Sequence, residues 1–387
     1  MARKARDQPA WAAVLPVAVA GLLLGCVVLG LQLVRLGGEE TAPFFVGTSW
    51  RLDEQLAARG VRVRVEPGHG YDGQWFLGQA YDPLLADRLA AGFDMPRYRA
   101  LRPLQPILGW LLALGRPAAV PFALLAVGPL AVAGGCAACG RLVAAFGRSR
   151  WWGLGFGLVP GVAVGVAFAT AEPLGLALAA AGLSLALDGR WWPAGLALGA
   201  AAMTKETYLA FAGATALWLL FRPGPGHARA RLGPALAVIL PGVAGLGLWG
   251  LHVLASLPAS RTDTAGAELF TVPLAGWAHT VGRVAGGDYV ADAPVGPLGP
   301  ALAVGTLALL LAGVAVAVRR LAVLPGWVGL LVGGLGLLLT GWLLDRWLSS
   351  MRALAPSVLA AGLVLVTAGR PALRRRRRPP VEPSRAS

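Results

Sequence analysis

Charge is what this chain has least of. Only 14% of its 387 residues are Asp, Glu, Lys or Arg, where soluble domains carry roughly 25%. A water-soluble fold would have too little polar skin to cover a chain that is 56% hydrophobic. Acids are scarcer still, 19 against 34 bases, yet the basic excess does not read as nucleic-acid binding. The arginines lie mainly between apolar runs and in one cluster, Arg374 to Arg378, and no aromatic-basic module accompanies them. Cysteine is limited to Cys26, Cys136 and Cys139, all inside apolar runs, which excludes a disulfide framework. The lone CxxC of Cys136 and Cys139 has no second pair, so packing on one helix face is a simpler role than zinc. His252 and His279 are too isolated to suggest a metal site, and a lone loop histidine such as His69 needs no special role. No motif requires a cofactor, and dependence on a divalent metal stays open.

What is there instead is length of apolar sequence. Runs of about 20 residues, enough to cross a hydrocarbon layer of roughly 30 Å, recur along a chain of mean hydropathy +0.64. Candidate spans are 11–34, 118–142, 152–170, 173–188, 191–204, 206–221, 234–256, 298–318, 321–344 and 352–369. The first is longer than the apolar core of a signal peptide and ends without a small-residue cleavage site, so an uncleaved helix is expected. The stretch 101–115 is short, with Pro103 and Pro106 in its first turn. Charge parity settles how to count it, because short cytoplasmic loops carry the excess of Lys and Arg. If 101–115 does not span, the N-terminus, Arg148/Arg150, Arg190, Arg222/Arg229/Arg231, Arg319/Arg320 and the tail all fall on one side. If it spans, every later loop flips and the pentabasic tail faces outward. The expectation is an all-α, polytopic protein of about ten spans, with 101–115 re-entrant or interfacial.

This gives a cytoplasmic N-terminus (1–10), a membrane domain (11–369) with outer loops at 36–100 and 257–297, and a basic disordered cytoplasmic tail (370–387) facing anionic lipids. Trp151-Trp152 and Trp191-Trp192 flank inner boundaries as an aromatic belt. Alanine, glycine, arginine and proline abound while Lys4 and Lys205 are the only lysines, as in a GC-rich bacterial genome, and a bacterial plasma membrane is the expected location.

The first outer loop contains Gly70-Tyr71-Asp72-Gly73-Gln74-Trp75-Phe76-Leu77. Glycines flanking an acid-bearing turn let the backbone bring a carboxylate to a substrate. From spacing alone, Asp72 as the cap of a helix starting near Gly73 is the simpler role. Asp72, Glu172, Lys205, Glu206, Asp345, Arg346 and Arg352 all fall at outer ends of expected helices. Any one can be an interface residue reaching water. Gathered on one face beside a long loop they point to a shared site, since ionisable groups at membrane depth are expensive. Adjacent helical residues do not share a face, so Glu206 can be unrelated to Lys205.

The string Tyr71-Asp72-Gly73-Gln74-Trp75-Phe76, in a long outer loop after a first membrane helix, resembles a signature of bacterial GT-C superfamily membrane glycosyltransferases. Similar strings occur in the GPI mannosyltransferase branch. Arg97-Tyr98-Arg99-Ala100-Leu101-Arg102-Pro103-Leu104 looks like that family's basic-aromatic approach to the next helix. Thr170-Ala171-Glu172-Pro173-Leu174 resembles its outer-loop motif, Thr204-Lys205-Glu206-Thr207 a further one, and Met351-Arg352-Ala353-Leu354-Ala355-Pro356 an arginine-leucine-proline motif before the last helix. Lysine stands at 205 where the pattern has arginine, and Ala171 precedes Glu172 where it has threonine. Asp53-Glu54 is similar to an acidic pair of protein O-mannosyltransferases, but the solvated face of an amphipathic loop helix is the simpler role.

The resemblance implies a GT-C-like fold and transfer of a hexose, mannose favoured, from polyprenyl phosphate to a lipid or glycan acceptor at the outer face. Asp72 would be the base. Arg352 and Lys205 lead as phosphate partners, followed by Arg102 and Arg346. Glu172 and Glu206 would orient the cations or sugar hydroxyls, and Tyr71 and Gln74 would complete the binding surface. Two rivals are a carrier or lipid flippase, which should show inverted repeats and charges at mid-membrane, and a noncatalytic membrane subunit.

Overall fold

The computed structural model describes residues 12–223, 228–260, 270–289, 298–344 and 346–369. The two terminal segments, Asp345 and much of the second outer loop lie outside them.

Helix α1 (Leu15–Arg35) is followed by a folded segment rather than an open loop. It holds α2 (Leu52–Ala57), α3 (Gly73–Ala80), α4 (Pro96–Ala100) and α5 (Leu104–Leu112). Strands β1 (Val46–Gly47) and β2 (Val65–Glu66) pair in parallel. The segment has its own apolar core, including Phe44, Leu52, Leu56, Trp75, Leu77 and Phe93, continuous with Leu124 and Val253 of the long apolar helices. Three long-range bonds tie it down. Arg97 donates to the Leu257 carbonyl at 3.0 Å, the Trp249 indole to Ala100 at 2.7 Å, and Arg64 to Leu36 at 2.6 Å. On α2, Glu54 pairs with Arg51 in the open, the solvated-face role.

The remaining elements are α6 (Val120–Ala144), α7 (Pro160–Ala167), α8 (Glu172–Leu187), α9 (Trp191–Thr204), α10 (Leu209–Phe221), α11 (Ala228–Ser256), α12 (Ala275–Gly286), α13 (Gly299–Val318), α14 (Leu324–Val328), α15 (Gly341–Leu344) and α16 (Trp347–Thr367). Among the described residues the fold is nearly all helical. Five helices, α1, α6, α11, α13 and α16, are long and apolar enough to cross a membrane. Buried residues make up 61% of the α6 window and 72% of the α16 window, against 22% for α1, α11 and α13. The first two are therefore central and the other three present their apolar sides outward.

Shorter apolar helices run over Glu172–Leu187, Glu206–Phe221 and Leu324–Leu338. Two expected spans are not continuous helices. Residues 152–170 break into a 3₁₀ stretch, Arg150–Phe156, and the eight-residue α7, which starts at Pro160. Residues 321–344 break into α14, a π turn at Gly329–Gly333, a 3₁₀ turn at Gly336–Leu338, extended Leu339 and α15. Glycines at 329, 333, 334 and 336 weaken the helix there. Helix α5, nine residues, spans only about 14 Å at 1.5 Å per residue. Cys136 and Cys139 are buried free thiols, Cys136 packing near Gly21 of α1.

The two ends of the bundle differ in charge. At one end Arg141 of α6 pairs with Asp188 after α8. Nearby, Arg150 donates to Ala13 at the start of α1 at 3.1 Å, and Arg148 donates to Val366 at 2.6 Å. Arg320 also caps the end of α16 at Thr367. Arg190, Arg222 and Arg231, at the start of α9, the end of α10 and the start of α11, belong to the same end. The other end, about 24 Å away along the 16 residues of α8, holds the folded segment and the site.

Candidate active site

Asp72 is presented by the turn before α3. Gly70, at φ +69°, takes the left-handed conformation that makes the turn possible, and a Cβ there would meet the backbone of Phe45 and Gly47. Gln74 fixes the same turn. It is 1% exposed, its Oε1 accepts from Gly47 N at 3.0 Å and its Nε2 donates to the His69 carbonyl at 2.8 Å. Both ends of the amide are occupied by backbone, so Gln74 frames the loop and does not face the cavity. Asp72 occupies the N-cap position of α3, yet its side chain makes no capping bond. The carboxylate is committed elsewhere.

Its Oδ1 accepts from Arg99 Nη1 at 3.0 Å and its Oδ2 from Arg352 Nη1 at 2.9 Å. Arg99 uses its other donors on Asp94, at 2.9 and 2.8 Å. Arg352, in the second turn of α16, reaches through Nη2 to Glu172 Oε1 at 2.9 Å. Glu172 opens α8, is 2% exposed, accepts from Thr170 Oγ1 at 2.5 Å and takes Lys205 Nζ at 3.3 Å. The result is one alternating chain, Asp94, Arg99, Asp72, Arg352, Glu172, Lys205, drawn from the first segment, α8, the end of α9 and α16. Beside it, Arg102 donates Nε and Nη2 to Glu206, each at 3.1 Å, and Nη2 to the Tyr98 hydroxyl at 2.5 Å. The adjacent residues Lys205 and Glu206 thus serve different partners.

Burial alone would push the Asp72 carboxyl pKa up. The guanidiniums of Arg99, Arg352 and Arg102 outweigh it and hold Asp72 below the ordinary carboxylate range. For Arg102, burial favours loss of the proton, but Glu206 more than compensates and its pKa is raised. Tyr71 lies under Arg352, 5.1 Å from guanidinium carbon to ring centre, and its phenol pKa is raised chiefly by burial. The Tyr71 hydroxyl and Arg352 Nε are both buried without a hydrogen-bond partner.

Asp72, Arg99, Arg102, Lys205, Glu206 and Arg352 line a cavity of about 630 Å³. Phe270, Leu335, Leu339, Leu343 and Pro356 add an apolar lining to the same space. Part of that lining is set where the chain after Phe270 pairs with the broken segment. Thr271 N donates to Leu338 O at 2.7 Å and Leu274 N to Leu337 O at 2.8 Å.

The structure therefore brings together Asp72, Arg102, Glu172, Lys205, Glu206 and Arg352, with Tyr71 directly behind. Arg346 is exposed at the N-cap of α16 and is not a lining residue. Sequence reasoning missed Asp94, Arg99 and Tyr98 as site residues. Arg99 and Tyr98 stand in the basic-aromatic string already singled out, so a signal was there. The leucines and Phe270 gave none. Known protein families, curated proteins and solved structures yield no match to this chain. What it does must be argued from the site itself. Among the described residues no cluster of three or more His, Cys, Asp or Glu could hold a metal.

The free donors are informative. All three nitrogens of Arg99 and both Nη atoms of Arg352 face carboxylates. Lys205 makes one long contact, and Arg102 Nη1 makes no hydrogen bond. These two cations have capacity for an incoming anion without breaking a pair. Arg352 bridges Asp72 and Glu172 and Arg99 bridges Asp72 and Asp94, so both act first as organisers of the acids.

Proposed function

We propose that this chain is a polytopic membrane glycosyltransferase with a GT-C-like, about ten-span arrangement. It moves a hexose, mannose favoured, from a polyprenyl-phosphate donor to a lipid or glycan acceptor at the outer face of a bacterial plasma membrane. The observation that carries the reading is the mixed lining of the cavity. An amphiphile with a long apolar tail and an anionic head needs apolar surface and cations in one space, and Leu335, Leu339 and Leu343 share this one with Lys205, Arg102 and Arg352. The charge polarity supports the orientation, because the arginine-rich end belongs in the cytoplasm and the cavity lies at the other.

In the reaction the acceptor oxygen forms a bond to the anomeric carbon. The bond from that carbon to the phosphate oxygen breaks, and the electron pair leaves with the phosphate. Lys205 and Arg102 stabilise the negative charge on the departing group. The acceptor proton passes to a carboxylate, and Asp72 is the one that lines the cavity between two guanidiniums. Glu172 holds Arg352 and Lys205 in register.

A carrier is the second reading, favoured by one feature: the helix 324–344 unwinds where it lines the cavity, as broken helices do in transporters. Purified full-length protein given radiolabelled polyprenyl-phosphate mannose and a lipid acceptor separates them. Label is expected to move onto the acceptor, and Asp72→Asn is expected to abolish that movement with an unchanged gel-filtration profile. Passage of substrate across vesicles without transfer would select the carrier, and neither activity would leave a noncatalytic subunit.

A further inference from the structure

At the end of the bundle opposite the cavity, Arg222 directly follows α10. Its guanidinium carbon lies 5.2 Å from the ring centre of Trp218 and 5.6 Å from that of Trp191, the first residue of α9. It is half-buried, yet its side chain donates to no described residue. The acid at this end, Asp188, is engaged with Arg141. Arg231 sits alongside, donating through Nη1 to the carbonyls of Leu220, at 3.2 Å, and Arg222 itself, at 2.6 Å. Burial first, and Arg231 second, lower the Arg222 pKa. Trp218 is 8% exposed and its indole N–H is buried with no partner.

Two like charges side by side and a buried indole N–H without a partner favour an anion, and Arg222 keeps its five guanidinium donors open to one. An oxyanion there meets charge-assisted donors. The depth of the site selects the source of the anion. Trp151, Trp152 and Trp192, exposed by 54%, 59% and 62%, belong to this end, and exposed indoles collect at the level of lipid headgroups. We propose that Arg222, with Arg231 and the Trp218 indole N–H, binds the phosphate of an anionic phospholipid headgroup. The site is about 24 Å from the cavity, the length of α8, and does not depend on what the cavity does.

The test uses full-length protein in detergent, titrated with phosphatidylglycerol or phosphatidylcholine and read by native mass spectrometry. The wild type should retain one phosphatidylglycerol in preference to phosphatidylcholine. Arg222→Ala should weaken that binding about tenfold, the effect of losing one charge-assisted contact. Trp218→Phe, which keeps the ring and removes the donor, should weaken it severalfold. Arg190→Ala, an exposed arginine at the same end, should leave it unchanged. An equal loss from Arg190→Ala would reveal a diffuse basic surface and overturn the proposal. Displacement of the lipid by millimolar inorganic phosphate would overturn the lipid assignment. If Arg222→Ala does not fold, Trp218→Phe decides, and full retention by that variant defeats the idea.

Discussion

Each oxygen of Asp72 is held by a different guanidinium, Arg99 on one side and Arg352 on the other. A carboxylate bound in this way is fully ionised but a reluctant proton acceptor, since the charges that hold its pKa down also lower its basicity. Protonation of Asp72 weakens its pairs with both guanidiniums. On the proposed reading the anionic donor, held by Lys205 and Arg102, enters beside Arg352, so donor and Asp72 compete for the field of that cation. Removing the Asp72 charge should therefore strengthen binding of the lipid phosphate while ending transfer. We expect Asp72→Asn to bind undecaprenyl phosphate about tenfold more tightly than the wild type, the effect of releasing one ionic hydrogen bond. Equal or weaker binding in a calorimetric titration would rule out this competition. The same contacts set a pH dependence. A depressed carboxyl pKa means that the ionised form, and the stability its pairing gives, is present above the unfolded value of about 3.9 and is lost only below it. The acid limb of kcat/KM should accordingly not fall in the range of a free carboxyl. Arg99→Gln removes one of the opposing cations, raises the Asp72 pKa and should shift that limb to higher pH. An unmoved limb would exclude Asp72 as the titrating group.

At the scale of elements, the site depends on how closely α7 approaches α16. A Cβ on Gly161 would run into the Met351 carbonyl, one residue before Arg352. Gly161→Ala should push α16 outward and move Arg352 off Asp72 and Glu172. Displacements of about 1 Å at a reacting site cost up to 10²-fold, so the transfer rate should fall on that order while the protein still elutes as a single species. An unchanged rate would mean that the crossing has slack. Much of this level was legible beforehand. The hydropathy of 118–142 and 298–318 matched α6 and α13 because long apolar helices are set by local composition. The continuity expected for 321–344 failed for a local reason, the glycines at 329, 333, 334 and 336, and for a non-local one: the carbonyls of Leu337 and Leu338 are taken by Leu274 and Thr271, a pairing that no window of sequence contains. In the site, Asp72, Glu172, Lys205 and Arg352 were readable because a charge at a helix end is conspicuous in an apolar chain. Arg99 was overlooked because its importance lies in a contact across 27 residues. The capping role for Asp72 was plausible from spacing and wrong in geometry, because two guanidiniums, that of Arg352 buried and that of Arg99 part-buried, attract a carboxylate more strongly than backbone N–H groups do.

For the whole molecule, what matters is which end faces which side. The cavity end is charge-balanced, with Asp72, Asp94, Glu172 and Glu206 against Arg99, Arg102, Lys205 and Arg352. The far end carries Arg141, Arg148, Arg150, Arg190, Arg222, Arg231 and Arg320, and among the described residues only Asp188, paired with Arg141, to offset them. An imbalance of this kind orients a helical membrane protein because arginine-rich loops are retained in the cytoplasm. His69, exposed on the turn that presents Asp72, and Arg190, exposed beside α9, mark the two ends. Single substitutions His69→Cys and Arg190→Cys, in a chain whose buried Cys136 and Cys139 are shielded, give a direct reading with a membrane-impermeant maleimide, with Cys26 replaced. In intact cells the reagent should modify position 69 and spare position 190, which should react only after permeabilisation. Modification of both from the same side would separate the charge asymmetry from the orientation, and the proposed donor in the outer leaflet would then have no route to the cavity.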